Sequence, residues 1–175
     1  WGQRWLANEA TRGRALRLLV HCGSPECWQI LLDFGRTILA RHPWTAATIA
    51  VRHPHAGAHA GAAKQLVLDV FHHTEIATEV FGEVARFGDV ADRSKLRQLA
   101  FRSDPVFPDV RRAAICAWLE VDHVEAVDAA LWALECSSSH DAFCAAVIMR
   151  HGTHEHCLRL MEMLSMKLLS KLSAR

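Results

Sequence analysis

The sequence predicts an all-α fold, an α-solenoid of about five helical hairpins, and three observations predict it. A segment recurs: Asp109-Val110-Arg111-Arg112-Ala113-Ala114-Ile115 returns in weaker form as Asp141-Ala142-Phe143-Cys144-Ala145-Ala146-Val147, a shift of 141 − 109 = 32. Turn markers at Gly23, Gly57, Gly88, Asp122 and Gly152 follow one another at steps of 34, 31, 34 and 30 residues. Between the markers, apolar residues fall three and four apart, the spacing that gathers them on one helix face.

In the first hairpin the break is Cys22-Gly23-Ser24-Pro25-Glu26. Gly23 suits the left-handed residue that ends a helix, and Pro25 the first turn of the next. Trp28, Leu31, Leu32 and the Thr37-Ile38-Leu39 end then share a face. His42-Pro43 opens the second hairpin, because the residue before proline is pushed out of the helical region. That hairpin, about residues 41–72, is placed mainly by the period, with Ala56-Gly57 as its break and the doubled His-Ala-Gly-Ala as a small-residue linker opening a helix.

Phe87-Gly88-Asp89 breaks the third hairpin and Asp104-Pro105 ends it. The fourth turns at Val121-Asp122-His123 and continues with Val124, Val127, Ala130, Leu131 and Leu134 on one face. The fifth turns at His151-Gly152-Thr153, where Gly152, like Gly88, is expected to be left-handed. Its last helix, from about His154 to Leu172, has Leu160, Met161, Leu164, Leu168 and Leu172 on one side and Leu158, Met163, Met166 and Leu169 elsewhere around it. A helix apolar on more than one face needs a second neighbour, here expected to be a further repeat. Ala113, Ala114, Ala145 and Ala146 are expected where helices approach closely. The arginine at the helix start is expected to reach an acid or a backbone carbonyl of the adjacent hairpin.

Two stretches carry a family likeness: Arg14-Ala15-Leu16-Arg17-Leu18-Leu19-Val20-His21-Cys22-Gly23-Ser24-Pro25-Glu26 and Val110-Arg111-Arg112-Ala113-Ala114-Ile115-Cys116-Ala117-Trp118-Leu119. They resemble the HEAT repeat, especially the short form of phycobilin-lyase-like proteins, with its helix of Arg and paired Ala, its Gly-Asp-type turn and its Leu-rich second helix. The first and fourth hairpins match well, the third and fifth in part, the second least. The resemblance implies one HEAT-like repeat domain over residues 1–175, read as a segment of a longer protein, whose architecture serves many functions.

Bulk properties narrow the classes. The chain has 175 residues, 51% hydrophobic and 22% charged, which suits a folded rather than a disordered protein. A net charge of +1 gives no global reason to expect nucleic acid or an acidic membrane. Residues 1–60 hold seven Arg and three acids, a balance of +4, against −3 for the remainder. Six cysteines without a CxxC pair fit reduced thiols and a cytoplasmic setting. No apolar run approaches the ~18–20 residues needed to cross a bilayer, so no membrane partner is expected.

Candidate chemistry centres on twelve histidines. His151, His154, His156 and Cys157 form the best group for a metal, since imidazole and thiolate both ligate zinc. Their spacing matches no established zinc motif, and the fourth repeat has Val121, Asp122 and His123 at the same place. Solvent-facing turn histidines are the simpler reading, and no metal or cofactor is expected. The same holds for His53-Pro54-His55 with His59, and for His72-His73. Ser137-Ser138-Ser139-His140-Asp141 has the residue types of a hydrolase triad, but a helix N-cap at Ser139 or Asp141 explains it better.

Trp28, Trp118 and Trp132 fall on apolar helix faces and belong in the core, leaving Trp1, Trp5 and Trp44 free for contacts. Arg12, Arg14, Arg17, Arg36 and Arg41, together with Trp44, are candidates for a partner surface in the Arg-rich third. Met163 and Met166 are candidates at the other end, because flexible thioethers suit protein contacts.

The expected function is a scaffold or interaction module that binds another protein, or another domain of its own chain, along the surface of successive second helices. Nucleic-acid binding through the Arg-rich third is the first alternative. Phe107-Pro108-Asp109-Val110-Arg111-Arg112-Ala113-Ala114-Ile115 is faintly similar to HEAT-like alkylated-base glycosylases, without a recognisable aromatic-plus-Asp catalytic pattern. An enzyme accessory of the chromophore-lyase-like type is the second alternative. No residue pattern nominates a catalytic site.

Overall fold

The helix boundaries follow from local chemistry. The computed structural model describes residues 2–102, 108–136 and 142–173, and among these every regular element is helical. Asn8, Ser24 and Asp89 cap the helices that follow them with side-chain oxygens, and Asp89 and Asp92 form a reciprocal capping box. Asp122 accepts from the backbone N–H groups of Val124 and Glu125 at 3.1 and 3.0 Å. Each such cap contributes about 1 kcal/mol. Pro25, Pro43 and Pro108 stand in first turns, where the missing N–H has no partner to lose.

The helices are α1 (Gly2–Ala7), α2 (Glu9–Cys22), α3 (Pro25–Ile38), α4 (Pro43–Arg52), α5 (Ala60–His73), α6 (Phe81–Phe87), α7 (Val90–Ala100), α8 (Pro108–Trp118), α9 (His123–Cys136), α10 (Ala142–His151) and α11 (His154–Ser173), with a 3-10 turn at Thr78–Val80. All five sequence markers lie between helices. Only part of the glycine reading holds. Gly23 is left-handed at φ 65°, as is Gly57 at 78°, but Gly88 is extended at φ −62° and Gly152 has no positive φ. Gly152 is required for a different reason: a Cβ there would sit 2.5 Å from the Ile148 carbonyl oxygen.

The chain divides into two compact units, Trp1–Gly88 and Asp89–Arg175, meeting at the third marker. In the first, α1 to α5 pack in succession, and α3 also touches both α1 and α5. Its core is built on Leu31, Leu32, Ile49, Leu66, Val67 and Phe71, with the Phe71 and Phe81 rings edge to face at 5.6 Å. Gly35 lets α3 and α5 come close, since a Cβ at that position would meet Leu66 Cδ2 at 2.7 Å.

In the second unit α7 to α11 pack in succession and α9 also touches α7 and α11. The buried Trp118 indole donates to Glu125 at 3.0 Å, and Arg97 pairs with the other oxygen of that carboxylate, which ties α7, α8 and α9 together. The buried Arg111 donates to the Arg102 carbonyl at 3.4 Å, the kind of partner expected of the helix-start arginine. Arg12 does the same to Leu6 O at 3.0 Å in the first unit.

The letters that recur at a shift of 32 do not recur in burial. Arg111, Ala114 and Ile115 are buried, whereas a shift of 32 pairs Ala114 with the exposed Ala146. Burial aligns Arg111 with Cys144, Ala114 with Val147 and Ile115 with Ile148, a shift of 144 − 111 = 33. One residue turns a helix by about 100°, so burial discriminates between registers that letters alone do not. Ala114 is therefore a contact alanine, Ala113 and Ala145 are half-buried, and Ala146 faces out. On α11, Leu160 is buried and Met163 half-buried, while Met161 and Leu164 are exposed. No helix among the described residues is long and apolar enough to cross a membrane.

Candidate functional site: two histidine-rich turns

The turn after α4 is the less ordinary of the two. Pro54 forces His53 into extended backbone (φ −68°, ψ 137°), which ends α4 and directs the imidazole inward. His53 is 3% exposed and meets Trp28 edge to face at 4.8 Å. Its Nδ1 accepts the His55 backbone N–H at 2.9 Å, so the neutral ring carries its proton on Nε2. His55 itself has φ 51°, the only positive φ outside glycine among the described residues.

Both ring nitrogens of His55 are buried without a hydrogen-bond partner. The ring packs 5.4 Å from Phe87 and 5.7 Å from His53, and Nε2 lies 3.8 Å from Glu83 Oε2. Glu83 gives its other oxygen to Arg86 at 3.0 Å, and Lys64 sits over Phe87 at 5.3 Å. Burial pushes the pKa of His53 down, helped by the positive charge of His55 and His59 when they are protonated. Burial also pushes His55 down, opposed by Glu83 and reinforced by Lys64 and Arg86. Chemically, this niche holds two neutral imidazoles whose protonation is resisted, one of them beside a carboxylate.

The turn 151–157 behaves differently. Thr153 and His156 cap α11 reciprocally: the Thr153 N–H donates to His156 Nδ1 at 3.0 Å, and the His156 N–H to Thr153 Oγ1 at 3.4 Å. This fixes the neutral imidazole with its proton on Nε2, which lies 3.1 Å from Asp128 Oδ1 on α9. Cys157 is turned toward the Ile148 carbonyl at 4.0 Å, while His151 and His154 are exposed. The four residues nominated for a metal are therefore not brought together. Among the described residues no group of three or more His, Cys, Asp or Glu could hold a metal ion. The Thr-x-x-His spacing was the available signal, because it repeats the geometry of a capping box with imidazole in place of a carboxylate.

The arginine candidates do not form one free patch. Arg12 is half-buried, bonded to Leu6 O and placed 5.9 Å over the Phe34 ring. Arg36 pairs with Asp33 at 3.7 Å, and Arg17 returns to Gly13 O at 3.3 Å. Arg14, Arg41 and Trp44 are exposed. Trp28 and Trp118 are buried as their helix faces predict, Trp132, expected in the core, is only half-buried against Phe101, and Trp5 is exposed. Trp1, Phe107 and Ser137 to Asp141, like Asp104 and Pro105, lie outside the described residues. No protein-family model, curated protein or solved structure matches the chain.

Proposed function

We propose that this chain is a HEAT-like helical-repeat module that binds another protein, using its second helices and in particular the outer face of α11. The observation that carries the reading is on that helix. Leu158, Met161, Met166 and Leu169 are 48%, 63%, 68% and 61% exposed, an apolar stripe interrupted by Glu162 and Ser165. An apolar stripe at helical spacing fits an amphipathic partner helix, and methionine adapts to its shape.

The repeat reading is supported by the packing order. In each unit the second helices of successive hairpins touch (α3 with α5; α7 with α9 and α9 with α11), and in the first unit α4 also touches the 3-10 turn that leads into α6. Contact between alternate helices is what stacked hairpins require. The Arg-rich third supports a phosphate-binding reading less well, because Arg12 and Arg36 are already engaged.

The test places a photo-crosslinking side chain at position 166 and, as control, at position 14. Protein adducts from 166 that vanish in Met161→Lys/Leu169→Lys, with helicity and melting temperature unchanged, are the expected result. Adducts that survive those substitutions, or that form equally from position 14, sink the assignment of the face.

A further inference from the structure

The outer face of α11 carries charge as well as apolar surface, and the open charge is of one sign. At about 100° per residue, Glu162 falls within about 40° of Leu158, Met166 and Leu169 around the helix, so its carboxylate stands inside the apolar stripe. Leu158, Met161, Glu162, Ser165 and Met166 line one groove there. Ser165 turns its hydroxyl back onto the helix, donating to the Met161 carbonyl at 2.8 Å, so it presents little polarity outward. Glu155 precedes Glu162 by 162 − 155 = 7 residues, which places it on the same flank, about 20° around and about 10 Å along the helix. Both glutamates are exposed. Arg159, between them in the chain, is drawn off to α9, where it pairs with Glu135 at 2.5 Å. Among the described residues neither Glu155 nor Glu162 has an ion pair or a side-chain hydrogen bond.

We propose that the partner of this face is a basic amphipathic helix of another protein, whose apolar seam covers Leu158, Met161, Met166 and Leu169 and whose Lys or Arg residues, seven apart on one flank, meet Glu155 and Glu162. The inference rests on α11 being the binding face and adds the sign of the partner's charge. A helix laid along α11 repeats its side chains with the same period, so one register places a cation against each acid. A purely apolar helix over Glu162 would take a carboxylate out of water with nothing to pair it, and an ammonium or guanidinium beside it removes that cost. The same two acids select against acidic helices of equal hydrophobicity. A second copy of the chain, meeting the face through its own α11, would bring the same acids against them.

The experiment titrates the full chain into a fluorescein-labelled helical peptide of about 18 residues, long enough at about 1.5 Å per residue to span positions 155 to 169. The peptide has a leucine seam and lysines seven apart on one flank, and its twin has glutamates in place of the lysines. Fluorescence anisotropy at low salt should show the lysine peptide binding at least about tenfold tighter than its twin, a gap that narrows as salt screens the flank. Glu155→Lys/Glu162→Lys should reverse the preference, and Glu155→Gln/Glu162→Gln, which is milder for the start of α11, should abolish most of it. The same charge change at the exposed Glu9 and Glu79 of the first unit should leave the preference as in the wild type. Equal binding of the two peptides, or a preference that Glu9→Lys/Glu79→Lys shifts as far, overturns the proposal. The photo-crosslinks separate it from the wider reading of the face. Adducts from position 166 that vanish in Met161→Lys/Leu169→Lys but persist undiminished in Glu155→Lys/Glu162→Lys keep the face and sink the basic partner. An adduct joining two copies of the chain sinks it as well.

Discussion

The turns 53–59 and 151–157 each hold three histidines and at least one glycine, and they differ in almost every physical respect. In the second turn the strain is steric and the polar groups are satisfied: Gly152 has no room for a Cβ, and His156 uses both ring nitrogens to cap α11 and reach α9. In the first, the space is open at Gly57 and the polar groups are the problem: His55 sits in a left-handed conformation with both nitrogens buried and without a hydrogen-bond partner. Similar composition thus builds a helix cap in one place and a proton-resisting niche in the other. The lesson is that a histidine cluster acquires meaning from what its nitrogens face.

The sharpest way to break this contrast is to give each turn a methyl group. Gly152→Ala drives Cβ into a backbone carbonyl that cannot move without the helix, and should destabilise the chain by about 3 kcal/mol. Gly57→Ala meets nothing and should lose only about 1 kcal/mol through its positive φ. Urea unfolding of both variants checks the ranking, and equal losses would falsify the steric account of Gly152.

A smaller effect is expected from His156→Ala, which removes the α11 cap and the contact with Asp128 and should lose about 1.5 kcal/mol. His156→Gln should recover part of it, because glutamine suits the same position in a capping box. If alanine and glutamine unfold at the same denaturant concentration, the reciprocal cap contributes nothing.

The smallest effect concerns acid. The folded-state pKa values of His53 and His55 lie below the ordinary 6.5, so on acidification the unfolded chain binds these protons first. Their contribution to stability is full above 6.5 and is lost as pH falls from there through the lower folded-state values. A His53→Gln/His55→Asn chain should therefore lose less stability than the wild type between about pH 7 and about pH 5. Identical slopes would remove the niche from the comparison.

Much of the helical framework was legible because its signals are local. Ser24, Asp89 and Asp122 begin helices through side-chain bonds to backbone groups two or three residues away, His42-Pro43 does so through the restriction proline puts on the residue before it, and all five markers fall between helices. The candidate sites were less legible. Pro54 marks the end of α4 at His53, but nothing in the letters shows that His53 packs on Trp28 while His151 faces solvent. The approach of α3 to α5 at Gly35 involves Leu66, thirty-one residues away (66 − 35 = 31), and leaves no mark beyond the glycine.

What the sequence by itself determined is an all-helical chain, with its helix ends, the cap chemistry and the tryptophans that belong inside. Those depend on backbone preferences and on periodicity within one helix. Only the tertiary structure decided which residues of α8 and α10 are buried, the outward face of α11, the reason for Gly152 and which histidines are buried. Each of those depends on which neighbour a side chain meets, and a rotation of about 100° per residue moves that neighbour without changing the apolar composition of the helix.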